Sequence, residues 1–198
     1  MGKVPKKPWS LEQWCVVIGT IIAGLGFIWG MFTWYKPTSE KPKPADSQAD
    51  IMLVKNYDDR FENMTKRRAL AAITIQEYLS KGKWSLVTNN TDALDDILGL
   101  FDTMGYDQEK GLLDPDALHE YFSGDIMAYY QVSEGYVVAV QKAEGATTFE
   151  HIKPLFNLMV DTEAKKEHTS TNKVYYTKDD LIKYFQSETN SVNVKEDK

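Results

Sequence analysis

The stretch from Gln13 to Tyr35 constrains the chain most, because its 23 residues include no charged side chain. A helix of this length spans about 34 Å, which matches the ~30 Å hydrocarbon core of a bilayer. Aromatic rings that favour the headgroup level lie at both ends, namely Trp9, Trp14, Trp29, Trp34 and Tyr35. We therefore predict a transmembrane helix over residues 13–35, preceded by an N-terminal tail over residues 1–12.

A secretory signal peptide and a buried core helix are the alternatives for this stretch. Lys3, Lys6 and Lys7 resemble the positive start of a signal peptide, but the apolar run is long and no small-x-small cleavage site follows it. Soluble core helices seldom lack charge over such a length. A membrane span fits better than either.

Positive residues near the two ends balance, so they leave the orientation open. Three lysines precede the span and three follow it: Lys3, Lys6, Lys7, Lys36, Lys41 and Lys43. Lys55 and the run Lys66 to Arg68 add positive charge on the C-terminal side and favour a cytoplasmic domain. The predicted location is a membrane, crossed once, with the lipid bilayer as a partner.

Small residues share one face of the predicted span: Gly19, Ala23, Gly26 and Gly30. In lipid, helices associate where small residues let their backbones approach closely. This seam predicts self-association or packing on a partner helix. Glycine is also common in membrane helices without such a role, and that alternative stays open.

Residues 36–49 contain three prolines and no large apolar side chain, so they predict a flexible linker. Beyond residue 35 the net charge is −8, since the whole chain carries −6 and residues 1–35 contribute +2. An acidic domain repels phosphate backbones, so we expect no nucleic-acid partner. Lys66 to Arg68 is interpreted as a solvated helix face. The only cysteine is Cys15, which excludes a disulfide or thiolate metal centre beyond the span.

Apolar residues recur at helical spacing across residues 50–187, which predicts an all-α domain built as a multi-helix bundle. One long helix, or two in line, covers Asp50 to Gly82. A second segment follows Thr91 and ends at Gly105.

Asp114 and Pro115 predict the start of the next helix, in which Gly124 and Gly135 indicate a bend or a close neighbour. A capping box at Thr147 to Glu150 precedes another helix, which runs to about Val160. The segment Thr177 to Asp180 opens the last one, and residues 188–198 are expected to be a disordered tail.

Several incomplete motifs argue against a known catalytic or metal site. His119 and Glu120 begin like a zinc-protease helix, but Ser123 replaces the second histidine. Asp116 and His119 lack the second carboxylate–histidine pair of a di-metal site, so His119 is interpreted as a surface histidine. Calcium loops starting at Asp102 or Asp107 do not fit the ligand pattern.

The pattern shows no cofactor motif and no evident small-molecule ligand. No glycine-rich phosphate loop or activated serine turn occurs in the sequence. Trp84, Tyr129 and Tyr130 are interpreted as core residues in preference to a ligand groove.

Four segments carry a resemblance to a known family: RRALAAI, LDDILGLFDTMG, GLLDPDALHEYF and IMAYYQVSEGYV, between Arg67 and Val160. In this order they resemble uncharacterised, mainly bacterial membrane-anchored proteins, the domain of unknown function numbered forty-seven sixty. The chain departs from that family's usual basic residues at Asp107 to Gly111. The resemblance implies an N-terminal membrane anchor and a helical domain, and it brings no catalytic residue.

We therefore expect a membrane-tethered helical interaction or scaffold module that binds a protein partner or itself. An enzyme with an unfamiliar carboxylate site is the first alternative, and Asp95, Asp102 and Glu120 are its candidate residues. An accessory subunit of a larger membrane complex is the second.

Overall fold

The computed structural model describes residues 47–195, with side chains described for residues 51–190. Within this range the chain forms helices and no strand, which confirms the predicted all-α class for the described part. The helices are α1 (Ser47–Asn63), α2 (Thr65–Lys81), α3 (Asp92–Glu109), α4 (Pro115–Glu144), α5 (Ile152–Lys166) and α6 (Lys178–Lys195). Short 3-10 turns occur at Trp84–Leu86 and Thr171–Lys173.

The predicted membrane span at residues 13–35 lies outside the described residues, as do the N-terminal tail and most of the linker. Among the helices between Ser47 and Lys195, none combines the length and apolar character that a bilayer crossing requires.

The segment that we predict as one helix or two is two helices, broken at Met64. The first helix begins at Ser47, which lies inside the predicted linker and three residues before the predicted start at Asp50. The second ends where Gly82 adopts φ +71° and its N–H bonds to the Tyr78 carbonyl oxygen. A positive φ of this size suits glycine, which has no Cβ to clash with the backbone.

The 30-residue helix α4 runs through the centre of the bundle and packs against α1, α3, α5 and α6. Its Tyr129 is fully buried and meets the rings of Phe101 and Phe185 edge to face, with centroids 5.9 and 5.0 Å apart. Such edge-to-face pairs add to the stability gained from apolar burial. The second helix, α2, packs chiefly on α3 and α6. One apolar core therefore joins all six helices.

Gly105 does not end α3 as the sequence predicts, because the helix continues to Glu109. The residue is needed for a close approach instead. A Cβ on Gly105 would lie 2.4 Å from the His151 carbonyl oxygen, well inside van der Waals contact. The turn before α5 therefore rests directly on the α3 backbone.

The capping box at Thr147 to Glu150 does not open α5, which begins at Ile152. Residues 146–151 form turns, and Phe149 has φ +55°. The cap comes from another helix: the Asp102 Oδ1 atom accepts the N–H groups of His151 and Ile152, at 2.7 and 3.1 Å. A carboxylate at this position satisfies N–H groups that have no partner within the helix.

The last helix begins as predicted, since the Asp180 N–H donates to Thr177 Oγ1 and the Asp180 carboxylate accepts from Thr177. The predicted disordered tail is wrong in its first part, because α6 continues to Lys195. Glu188 is buried in this extension and bonds to Arg68. The ion pair with Arg68 favours a helical conformation for this polar segment. The local sequence pattern does not reveal a partner that is so distant in sequence.

Candidate functional site

A buried ion pair joins α2 to α6 and corrects our interpretation of the basic run as a solvated face. Arg68 donates from Nε and Nη2 to the two carboxylate oxygens of Glu188, at 2.7 and 2.6 Å. Its guanidinium also lies over the Phe61 ring, 4.0 Å from the centroid. Arg67 is half exposed and pairs with Asp96 on α3 at 3.1 Å. Arg67 and Arg68 therefore bind carboxylates of the same domain.

Asp125 on α4 lies beside this pair and accepts a short hydrogen bond from the Tyr184 hydroxyl of α6. Burial raises the pKa of Asp125 to about 6, against the opposing effects of Tyr184 and Arg68. Burial also raises the pKa of Tyr184, and the carboxylate of Asp125 adds to the shift. Because the phenol remains protonated, it acts as a donor that holds α6 against α4.

His119 is buried, so our interpretation of it as a surface histidine is wrong. Its Nε2 atom lies 2.5 Å from the Glu163 carboxylate, and its Nδ1 atom lies 2.9 Å from the Lys166 ammonium. A lysine ammonium can only donate, so Nδ1 accepts and Nε2 carries the proton donated to Glu163. Both ring nitrogens are engaged, and the contacts join α4 to α5.

A polar cleft of about 270 Å³ lies next to the His119 contacts, between α4, α5 and the start of α6. Its lining includes Ser123, Glu163 and Asp180. Glu163 bonds to His119 and Asp180 caps α6, so both carboxylates already have structural partners. His119 uses its two ring nitrogens on Glu163 and Lys166, so it does not activate the Ser123 hydroxyl. The cleft therefore brings polar groups together without a nucleophile and base in contact.

The carboxylates that we consider first for an unfamiliar enzyme do not form one site. Asp95 accepts a 2.7 Å hydrogen bond from the Tyr136 hydroxyl, and burial raises the pKa of Asp95. Asp102 caps α5, and burial likewise raises the pKa of that carboxyl. Glu120 is exposed on α4. Asp95 and Asp102 thus each bond to a neighbouring helix, and they do so from different turns of α3.

The residues tested for calcium and metal ligation also have structural partners. Asp107, the start of one trial calcium loop, accepts a 2.6 Å hydrogen bond from the Tyr57 hydroxyl of α1. Asp102, the start of the other, caps α5. Asp116 is exposed, whereas His119 is buried. Within residues 51–190, no three histidine, cysteine or acidic side chains meet in an arrangement that could hold a metal ion.

Trp84, Tyr129 and Tyr130 pack with the core, in agreement with their interpretation as core residues. Tyr129 and Tyr130 are buried, and Trp84 stacks on Tyr78 with ring centroids 4.3 Å apart. The indole also lies next to Gly135, where a Cβ would be 3.5 Å from the Trp84 ring, an ordinary van der Waals distance. The helix continues through Gly135, and the neighbour there is an aromatic side chain at a distance that a larger residue would also permit.

A groove of about 240 Å³ between α2 and α3 exposes two large apolar side chains, and our sequence interpretation missed it. Leu70 is 51% exposed and Ile73 is 41% exposed, and both line the groove. Arg67 and Thr74 also come from α2, while Asn90 and Asp92 come from the start of α3. Its lining combines apolar and polar side chains. We name it the α2–α3 groove.

A signal for this groove was present in RRALAAI, where apolar residues occupy more than one face of a helix. Ala69, Ala72 and Ile75 belong to the buried face of α2. Leu70 and Ile73 lie outside that face and are exposed. A helix with apolar residues on two faces has a second surface that water does not favour.

The small-residue seam and the aromatic anchors of the predicted span lie outside the described residues. These are Gly19, Ala23, Gly26 and Gly30, and Trp9, Trp14, Trp29, Trp34 and Tyr35. Their roles stay predictions.

Comparison with known proteins gives no relative: no family model, no curated protein and no solved structure matches the chain.

Proposed function

We propose that this chain is a membrane-tethered helical interaction module that binds a protein partner through the α2–α3 groove. The tether is the uncharged stretch from Gln13 to Tyr35, and the module is the helical bundle from Ser47 onward. The observation that carries the proposal is the pair Leu70 and Ile73. Both are large, both are 41% exposed or more, and both line one concave groove.

Exposed apolar side chains are common when they occur singly, but a pair that shares a concave groove is typical of a binding surface. Covering the two side chains would remove apolar area from water at about 25 cal/mol per Å². The lining also includes the polar side chains of Arg67, Asn90 and Asp92, which can orient a partner.

The enzyme alternative has weaker support, because the perturbed groups already serve the fold. Asp95, Asp102 and Asp125 accept hydrogen bonds from Tyr136, from the start of α5 and from Tyr184. His119 uses both ring nitrogens on Glu163 and Lys166. An active site needs such groups turned towards a substrate.

The proposal is tested by making the groove polar in the full chain. Leu70→Glu combined with Ile73→Glu should keep the helical circular dichroism signal and the melting temperature within a few degrees of wild type. Any partner crosslinked to wild type in native membranes should be lost from this variant, because burying two carboxylates in an apolar contact is unfavourable.

The matched control is Leu112→Glu combined with Val138→Glu, which alters side chains of similar exposure, 52% and 57%, outside the groove. The control should retain every crosslinked partner. Equal retention by the groove variant and the control would show that the groove is not the binding surface.

A further inference from the structure

The last helix, α6, packs chiefly on α2 and also on α4. The other helices make contacts among themselves that do not involve α6: α2 with α3, α3 with α5, and α4 with α1, α3 and α5. Because α6 also ends the described chain, it can separate as one unit while those contacts remain.

Much of the attachment of α6 is polar. Among its described side chains, the buried apolar ones are Leu181 and Phe185. Gln76 of α2 donates to the Phe185 carbonyl oxygen and to Thr189 Oγ1, both at 2.8 Å. The ion pair with α2 and the phenol–carboxylate bond with α4, described above, add to these contacts. A helix held by few buried apolar side chains opens at a lower cost than the centre of a core.

The connection before α6 is anchored separately. Gln131 of α4 donates to the Tyr176 carbonyl oxygen at 2.7 Å and accepts the Tyr176 N–H at 2.9 Å. These bonds hold the chain on α4 one residue before Thr177, which opens α6. The point about which α6 can separate from α2 therefore lies at residues 176–177.

Asp125 of α4 is largely buried, and its hydrogen bond comes from a neutral group, the Tyr184 phenol of α6. The nearby guanidinium is directed elsewhere: Arg68 donates from Nε and Nη2 to Glu188, and from Nη1 to Glu62. Removal from water disfavours an ionised carboxyl that lacks a directly bonded cation. The contacts of Asp125 therefore favour its protonated form while α6 is in place.

Within the described residues, the charged and titratable groups that interact with Asp125 come from α1, α2, α4, α6 and the connection before α6: Glu62, Arg68, Tyr129, Tyr176, Tyr184 and Glu188. Burial is the largest effect and raises the pKa of Asp125 to about 6, against the opposing effects of Tyr184 and Arg68. The carboxylates of Glu188 and Glu62 add to the rise. Once α6 separates, water reaches the carboxyl and its pKa returns towards about 4.

We propose that α6 is a proton-controlled latch, which is held on α2 and α4 while the Asp125 carboxyl is protonated and separates more readily once that carboxyl is ionised. The carboxyl binds its proton more tightly with α6 in place, so the attached state is favoured at low pH. That advantage is lost as pH rises from about 4 to about 6. Separation uncovers the Tyr129 ring, which meets Phe185 edge to face at 5.0 Å. The latch goes beyond the proposed groove contact, because it requires no partner.

Hydrogen exchange of the full chain in detergent micelles tests the latch, with rates corrected for the intrinsic effect of pH on amide exchange. Peptides from residues 181–190 of α6 are compared with peptides from residues 93–105 of α3. At each pH the α6 amides should be less protected than the α3 amides, by about tenfold or more. The opening constant of α6 should rise about tenfold between pH 5 and pH 7.5, as a carboxyl pKa that changes from about 6 to about 4 on opening requires.

Asp125→Asn should remove the pH dependence of the α6 opening constant, because an amide does not titrate but can still accept from Tyr184. Asp179→Asn makes the same chemical change at an exposed position of α6 and should retain the pH dependence. Tyr184→Phe removes a donor that favours the ionised carboxyl, so the rise in the opening constant should extend to higher pH.

Two kinds of result would overturn the latch. Equal protection of the α6 and α3 amides would show that α6 opens only together with the whole bundle. A wild-type opening constant that does not change with pH, or a rise that persists in Asp125→Asn, would show that Asp125 does not control α6.

Discussion

Arg68 and Glu188 form a bidentate ion pair across 120 residues of sequence, with side chains only 13% and 9% exposed. The pair joins α2 to the second half of α6, and a further bond runs from Gln76 Nε2 to Thr189 Oγ1 at 2.8 Å. The α6 residues of both contacts, Glu188 and Thr189, lie in the segment that the sequence predicts to be a disordered tail. The end of α6 is therefore a structural part of the bundle.

Glu188→Ala should destabilise the domain by about 3–5 kcal/mol, because it leaves the Arg68 guanidinium buried without its main partner. Urea denaturation of wild type and variant measures the difference. The control, Glu134→Ala, removes the partner of Lys153 in an exposed pair, 52% and 60% accessible, and should cost less than about 1 kcal/mol. Equal effects for the two variants would contradict the importance of the buried pair.

Asp125→Asn should stabilise the domain at pH 7 relative to wild type, by about 2 kcal/mol. Burial raises the Asp125 pKa to about 6, so the folded state binds this proton more tightly than the unfolded chain does. Wild type therefore loses stability as pH rises from about 4 to about 6, whereas an asparagine does not titrate. The Asn carbonyl can still accept from Tyr184.

The measurement is the difference in unfolding free energy between wild type and Asp125→Asn, followed from pH 4.5 to pH 7.5. Asp161→Asn, on an exposed position of α5, serves as the control and should show no such trend. A difference that does not grow with pH would mean that Asp125 is not the titrating group.

Gly105→Ala should destabilise the domain by about 3 kcal/mol or more, because the added methyl group would overlap the backbone of His151. Gly99→Ala is the matched change on the same helix, where a Cβ meets nothing within 4 Å. There the substitution should stabilise by up to about 1 kcal/mol, through helix propensity alone. Thermal unfolding of the two variants should therefore shift in opposite directions.

Asp102→Ala should cost about 1–2 kcal/mol, since the His151 and Ile152 N–H groups lose their acceptor. Thr147→Ala, which alters the capping box predicted from the sequence, should cost only a few tenths. Chemical denaturation of both variants decides which residue caps α5. A larger loss of stability for Thr147→Ala would show that the local capping box, and not Asp102, caps α5.

Features that depend on neighbours in sequence were predictable. Asp114 accepts the N–H groups of Asp116 and Ala117, at 3.0 and 2.9 Å, and Pro115 follows it as the motif requires. Thr177 and Asp180 likewise open α6. Such caps form within a single turn of chain, so their residue types are enough to locate them.

Features that depend on distant residues were not predictable. Asp102 caps a helix 50 residues away, and Glu163 meets His119 across 44 residues. Nothing in the local pattern distinguishes such side chains from solvated ones, because their environment is made by helices that the pattern cannot position. Glycine is equally ambiguous: Gly82 ends a helix, whereas Gly105 admits a neighbouring turn.

The groove residues were missed for a related reason. A helix pattern shows that Leu70 and Ile73 are apolar, but it does not show which face the neighbouring helices leave open. Only the positions of α3 and α6 reveal that Leu70 and Ile73 stay exposed.

The packing of α2 on α6 also determines when the domain can complete its fold during synthesis. These helices are the second and the last in the described chain, and their contact is the most extensive between any two of its helices. While residues 178–195 are still inside the ribosome, the Arg68 side chain lacks Glu188 and the part of α2 that packs on α6 is uncovered. Because contacts of large sequence separation form late, the nascent bundle would expose this face until translation passes Lys195, and chaperones that bind apolar segments would find it there.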